Sequence, residues 1–160
     1  LKFTSESKIN SLNNIALDNN GNLFTVTKEN KLFICNIDGT SNSISLSSLD
    51  SNSLIAYDNI RQEILFSNND KLFALDNRFN EISNIKFDNK IVNIQTFKKY
   101  IVVQTKNEIY LLNNGEIVDG TPLKCDGNFI ITNLKDDNKI NIILTRNKVL
   151  YNYQLEEIAQ

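Results

Sequence analysis

The chain has no histidine, no tryptophan and no methionine, and its 160 residues include one proline, five glycines and two cysteines. Each shortage removes a class of function. Without histidine, the commonest general base and metal ligand is missing. Cys35 and Cys125 form no metal or redox spacing. Cys35 ends the apolar run Leu32-Phe33-Ile34-Cys35 and reads as a free core thiol, whereas Cys125 reads as lying near a loop. No apolar run approaches the roughly 18 residues of a membrane span, and no segment has the pattern of a signal peptide. A net charge of −2 forces no basic face. Nucleic acid and acidic membranes are therefore poor candidate partners. Because the first residue is Leu1, the chain is expected to be a processed or trimmed piece of something longer.

What is present suits a folded domain. The hydrophobic fraction is 41% and the charged fraction 22%, ordinary values for a soluble protein with a core. Asparagine makes up about a sixth of the chain. It tolerates φ > 0 and caps turns, so it can replace the scarce glycine in tight loops.

One turn-and-strand pattern recurs four times: Asn30-Lys31-Leu32-Phe33-Ile34, Asp70-Lys71-Leu72-Phe73-Ala74, Asn107-Glu108-Ile109-Tyr110-Leu111 and Asn147-Lys148-Val149-Leu150-Tyr151. The copies are offset by 40, 37 and 40 residues. A period near 40 with several short strands per copy predicts an all-β β-propeller of four four-stranded antiparallel blades. The ring is either closed with four blades or part of a larger propeller. A single unit over residues 1–160 is expected, with repeats at about 1–46, 47–87, 88–124 and 125–160. A β-sandwich suits short strands too, but sandwich strands seldom repeat their sequence in fours.

Within each repeat the strands are named A to D. Strand A falls at 14–17, 54–57, 92–95 and 129–132. Strand B falls at 23–27, 64–67, 100–105 and 140–145. Strand C falls at 31–35, 71–75, 108–112 and 148–153, and strand D at 43–46, 82–87 and 116–118. Asn113-Asn114-Gly115 predicts a type I′ hairpin turn, because both central residues accept φ > 0. Phe33, Phe73, Tyr110 and Leu150 are predicted to be equivalent, and to form inter-sheet core with Phe24, Leu65, Val102 and Ile142. Leu1-Lys2-Phe3 resembles the end of a D strand, and the fourth repeat stops after strand C. Leu1–Thr4 is thus expected to pair with 148–153, or to await further blades.

Ile64-Leu65-Phe66-Ser67-Asn68-Asn69-Asp70-Lys71-Leu72-Phe73-Ala74-Leu75-Asp76 resembles the quinoprotein-type (PQQ-like) propeller repeat. The glycine and tryptophan usual after that Asp are replaced by Phe79, Asn80 and Ser83. Asp18-Asn19-Asn20-Gly21-Asn22-Leu23-Phe24 is similar to a turn seen in several other propeller families. The stretch from Gly115-Glu116-Ile117-Val118-Asp119-Gly120-Thr121-Pro122-Leu123 to Val149-Leu150-Tyr151-Asn152-Tyr153-Gln154-Leu155 looks like the C-terminal blade of large propeller proteins of Bacteroidetes-type cell envelopes. That resemblance implies binding or scaffolding rather than a reaction, in the periplasm or cell envelope.

Three chemistries are weighed. The turn from Asn133 to Lys139 resembles a calcium loop, but Lys135 stands where an oxygen ligand belongs, and its ammonium repels the ion. A quinone cofactor is disfavoured by the missing tryptophans. A lactonase-like metal site would draw on Asp18, Asp58 and Asn133, which follow strand A in three repeats. Turn capping is the simpler role for them, at the end opposite the usual active side. Tyr100, Tyr110, Tyr151 and Tyr153 fall in strands with core-like alternation, so no nucleophile and base can be paired. No cofactor, metal or enzyme activity is expected. The positive reading is a protein-binding platform at the end carrying the B–C turns, with Lys28, Glu29, Asp70, Lys106 and Arg146 as the partner-binding residues.

Overall fold

Period-2 alternation of apolar side chains, broken every few residues by Asn, Asp or Gly, gives short strands joined by hairpins. In the computed structural model of the chain, residues 14–133 and 139–156 are described. The first sheet has the order β1 (Ile15–Leu17), β2 (Leu23–Val26), β3 (Lys31–Cys35), β4 (Ser41–Ser45). The second follows the same order with β5 (Ile55–Asp58), β6 (Glu63–Asn68), β7 (Lys71–Leu75) and β8 (Glu81–Lys86). In the third, β9 (Ile91–Phe97), β10 (Tyr100–Thr105) and β11 (Glu108–Asn113) are followed by two short outer segments, β12 (Glu116–Ile117) and β13 (Leu123–Lys124), both paired with β11. The fourth has three described strands, β14 (Phe129–Asn133), β15 (Lys139–Arg146) and β16 (Val149–Glu156). All pairings are antiparallel, and no helix occurs among the described residues. The pairing expected for Leu1–Thr4 lies outside the described residues.

The A strands pack beside one another, β1 against β5 and β5 against β9. The sheets therefore fan out from a shared inner edge, and each seam between neighbours is filled by its own apolar cluster. Phe24, Val26, Leu32 and Ile34 of the first sheet meet Ile55, Ile64, Phe66 and Phe73 of the second. The other face of the second sheet, with Leu65, Leu72 and Ala74, meets Ile94, Ile101, Val103 and Tyr110 of the third. Val102, Ile109 and Leu111 then meet Ile140, Ile142 and Leu144 of the fourth. Inner sheets bury both faces, which is why β7 and β10 are apolar almost throughout. Outer strands such as β4 and β8 are mostly exposed and polar, which protects the sheet edges.

Asparagine takes the left-handed role expected of it, with φ of 59° at Asn30, 54° at Asn69, 51° at Asn114 and 52° at Asn147. At Gly21 (φ 84°) a side chain would also press Ile37 Cδ1 at 3.0 Å.

Three expectations need correction. Leu150 is not core: it is 68% exposed. The fourth hairpin turns at Asn147-Lys148, where Arg146 pairs with Val149, whereas the second turns at Asn69-Asp70, where Asn68 pairs with Lys71. The recurring Asn or Asp is thus the second turn residue in repeats two and three but the first in repeat four. A one-residue slip sends every side chain to the other face, so the equivalent of Phe73 is Tyr151. For the same reason Ile142, though buried, faces the opposite way from Leu65. Second, Phe33 and Cys35 are only half-buried, because their face of the first sheet has no described sheet against it. Cys125, by contrast, is the buried thiol, at 1% exposure. Third, the third D strand is divided, with residues 118–122 looping out between its halves.

Candidate functional site

The two ends of the sheets differ in how their polar groups are used. At the end carrying the A–B and C–D turns, Asp18, Asp38, Asp58 and Asp76 are engaged by their own loops. Asp18 Oδ1 accepts from the Asn20 and Asn22 backbone N–H groups, at 2.8 Å each, and its Oδ2 accepts from Asn22 Nδ2. Burial pushes the Asp18 carboxyl up, but these hydrogen bonds outweigh it and hold its pKa below the usual value. Asp76 repeats the arrangement with Arg78 and Asn80, and its pKa is likewise lowered, chiefly by the Asn80 backbone N–H. Asp58, 1% exposed, accepts from the backbone of Ile60 and Arg61 and pairs with the Arg61 guanidinium at 2.5 Å. Arg61 Nη2 then donates across the seam to Lys99 O (2.9 Å) and Asn114 Oδ1 (3.2 Å). Asp18 and Asp58 are therefore turn and seam elements in separate sheets. The Asn133 side chain and residues 134–138, where the calcium-like loop was expected, lie outside the described residues. Among the described residues no group of three or more His, Cys, Asp or Glu is placed to hold a metal ion.

At the opposite end the B–C turns meet the D–A connections. Phe87 N donates to Asp70 O and Ile91 N to Asn69 O, each at 2.8 Å. Cys125 N donates to Asn107 O at 2.8 Å, and Asn147 N donates to Asp126 Oδ2 at 2.7 Å. The second and third B–C turns are thus tied to the connector that follows them, and the fourth to the connector that precedes its sheet.

All five residues predicted for partner binding lie at this end. Lys28 and Glu29 share the β2–β3 turn and are exposed. Asp70, in the β6–β7 turn, is engaged by Lys86 Nζ at 3.7 Å. Lys106 is exposed in the β10–β11 turn, and Arg146 is exposed where β15 ends. They sit on four turns rather than in one cluster. Two recesses open among them. One of about 460 Å³ is lined by Lys28, Asn14, Val26 and the Ser51–Leu54 segment. The other, of about 240 Å³, is lined by Arg146, Asn147, Asn107, Lys124, Cys125 and Asp126.

A polar network centred on the buried Glu108 and reaching solvent at Lys124 lies beside the second recess. Glu108, 8% exposed, accepts the Tyr110 hydroxyl at 2.8 Å and pairs with Lys124 Nζ. Lys124 stands directly across from Glu108 in the β11–β13 register. The Lys124 and Tyr110 hydrogen bonds hold the Glu108 carboxyl below the usual range, against the effect of burial. Burial, then the Glu108 hydrogen bond and charge, push the Tyr110 phenol up to about 12. A phenol so held stays protonated at physiological pH and works as a fixed donor, with its ring edge-on to Phe87 at 4.9 Å. Sequence reasoning passed over this network. The available signal was Glu108 itself, an acid where the first two repeats carry Lys31 and Lys71.

Four antiparallel sheets fanned about a common inner edge, in A-B-C-D order in the first three and A-B-C order in the described part of the fourth, define a β-propeller. Solved structures agree. A virginiamycin B lyase from Staphylococcus aureus superposes with a TM-score of 0.60 at 18% identity, over 88% of this chain and 54% of that one. Saccharomyces cerevisiae Sqt1 gives 0.66 at 12% identity, over 85% and 41%. BBS1N, solved in complex with ARL6DN, gives 0.63 at 16% identity, over 88% and 48%. At these identities the likeness is one of fold. The chain spans about half the length of these structures. No family model matches it, and no curated protein does.

Proposed function

We propose that this chain is a non-catalytic propeller module that binds a protein partner through the end formed by its B–C turns and D–A connections. The observation that carries this reading is the contrast between the two ends. At one end Asp18, Asp58 and Asp76 are taken up in closing their own loops. The other presents Lys28, Glu29, Lys106 and Arg146 to solvent around two recesses, with the Lys106 and Arg146 turns tied to the connector between the third and fourth sheets. Loops carrying mixed charge favour protein recognition, because complementary charges set orientation and reject wrong partners. BBS1N, a neighbour of the same fold, is solved with a protein partner. A lactonase-like hydrolase with a metal at the channel mouth is the less favoured reading, since Asp18 and Asp58 are committed to separate turns. The resemblance of residues 115–155 to envelope propellers supports placement in the periplasm or cell envelope.

The test is affinity capture from the native cell envelope with the chain and two variants. One carries K28E, K106E and R146E; the other carries R78E at the opposite end. A partner retained by the R78E variant and lost with the triple variant is the expected outcome. An identical set of captured proteins for both variants would overturn the assignment of the face.

A further inference from the structure

Glu63 opens β6 two residues before Leu65, so strand alternation puts its side chain on the face that meets the third sheet. A recess of about 260 Å³ opens in that seam, beside the Arg61 staple. Both sheets have described neighbours on their other faces, so its walls do not depend on what lies beyond either end of the chain. Leu65, Leu72, Ala74 and Ile101 give it a buried apolar wall. Polar groups enter from three elements: Glu63 on β6, Ser83 on β8 and Asn114 in the turn after β11.

Glu63 is half-buried, and its carboxylate makes no hydrogen bond or ion pair with another described residue. Burial, then the Asp58 charge, push its carboxyl up, and the Arg61 charge opposes them without cancelling. Arg61 also lines the recess, but its guanidinium is taken by Asp58, Lys99 O and Asn114 Oδ1. The uncompensated charge of the recess is therefore one carboxylate. A partly desolvated acid beside apolar side chains costs free energy until a cation meets it, and such a group in a cleft marks a binding site.

We propose that this recess takes a lysine side chain of a partner protein, with its stem against Leu65, Leu72 and Ile101 and its ammonium on Glu63. A lysine carries a four-carbon apolar stem that packs while its charged head stays near water. The ammonium has three donors on one compact centre. Glu63, Ser83 and the remaining lone pair of Asn114 Oδ1 are the acceptors that line the recess. The volume falls below the roughly 300–1,000 Å³ of pockets for drug-sized ligands, which suits one side chain. Arg61, Glu63 and Asn114 lie at the A–B and C–D end, so this contact is separate from the face carrying the B–C turns.

Titration of the isotope-labelled full chain with Nα-acetyl-lysine amide, followed through backbone amide chemical shifts, tests this. The expected result is a set of shifts concentrated at Arg61, Glu63, Ser83 and Asn114, with a Kd on the order of millimolar. n-Butylammonium is expected to give the same pattern and n-butanol almost none. E63Q keeps the shape and removes the charge. It is expected to weaken binding roughly tenfold or more, without lowering the melting temperature, since it also relieves repulsion from Asp58. Equal affinity for n-butanol, an E63Q chain that binds as well as wild type, or no shifts at these residues would overturn the proposal. Binding of n-butylammonium without binding of the lysine probe would indicate a free amine and overturn the assignment to a protein side chain.

Discussion

Arg61 Nη1 meets Asp58 Oδ2 at 2.5 Å, and the same guanidinium reaches across to Lys99 O and Asn114 Oδ1 in the next sheet. One side chain thus neutralises a carboxylate that is almost wholly buried and staples two blades. Removing it would strand the charge, and an uncompensated buried carboxylate costs about 3–5 kcal/mol. R61A is expected to fall within or somewhat below that range, because the backbone N–H groups of Ile60 and Arg61 still serve Asp58. R78A, at an exposed residue, is the control and is expected to change little. Urea denaturation of both variants would check this.

Glu108, Tyr110 and Lys124 predict a dependence on pH at both extremes. The Glu108 pKa is lowered in the folded state, so its contribution is present above the ordinary Glu value and is lost as pH falls through the folded one. The Tyr110 pKa is raised to about 12. Its contribution is present below the ordinary tyrosine value of about 10 and is lost as pH rises through the folded one. Y110F is expected to flatten the alkaline decline in melting temperature and E108Q the acid one. Identical pH profiles for wild type and both variants would refute the assignment.

Phe66 stacks on Phe73 with ring centroids 4.9 Å apart, inside the first seam. F66A is expected to cost on the order of 3–5 kcal/mol. L150A, at an exposed position, is expected to stay within about 0.5 kcal/mol of wild type. Chemical denaturation of the pair tests the one-residue slip of the fourth repeat directly. A severe loss from L150A would restore the register in which Leu150 matches Phe73.

Lys148 lies at φ 63°, beside Asn147 at 52°. A lysine pays a steric penalty there that glycine avoids, so K148G is expected to stabilise the chain by up to about 1 kcal/mol. The comparison with N147A, expected to destabilise, would be read from melting temperatures.

The sequence alone determined the repeat, the all-β class, the four-sheet count and most strand positions to within a residue or two, but not β13 or the end of β16. These follow from local rules: period-2 alternation, and asparagine adopting φ > 0 in turns. It also placed Lys28, Glu29, Asp70, Lys106 and Arg146 at one end, because a hairpin's direction follows from strand order. Tertiary structure decided the rest. It set which face Leu150 presents, since the choice between two turn residues at Asn147-Lys148 depends on what the fourth sheet packs against. It joined Arg61 to Asn114, 53 residues away, and Lys124 to Glu108, 16 away. Such contacts carry no local signature, because the partners are far apart in the chain and meet only through strand pairing within the third sheet or the packing of one sheet beside the next.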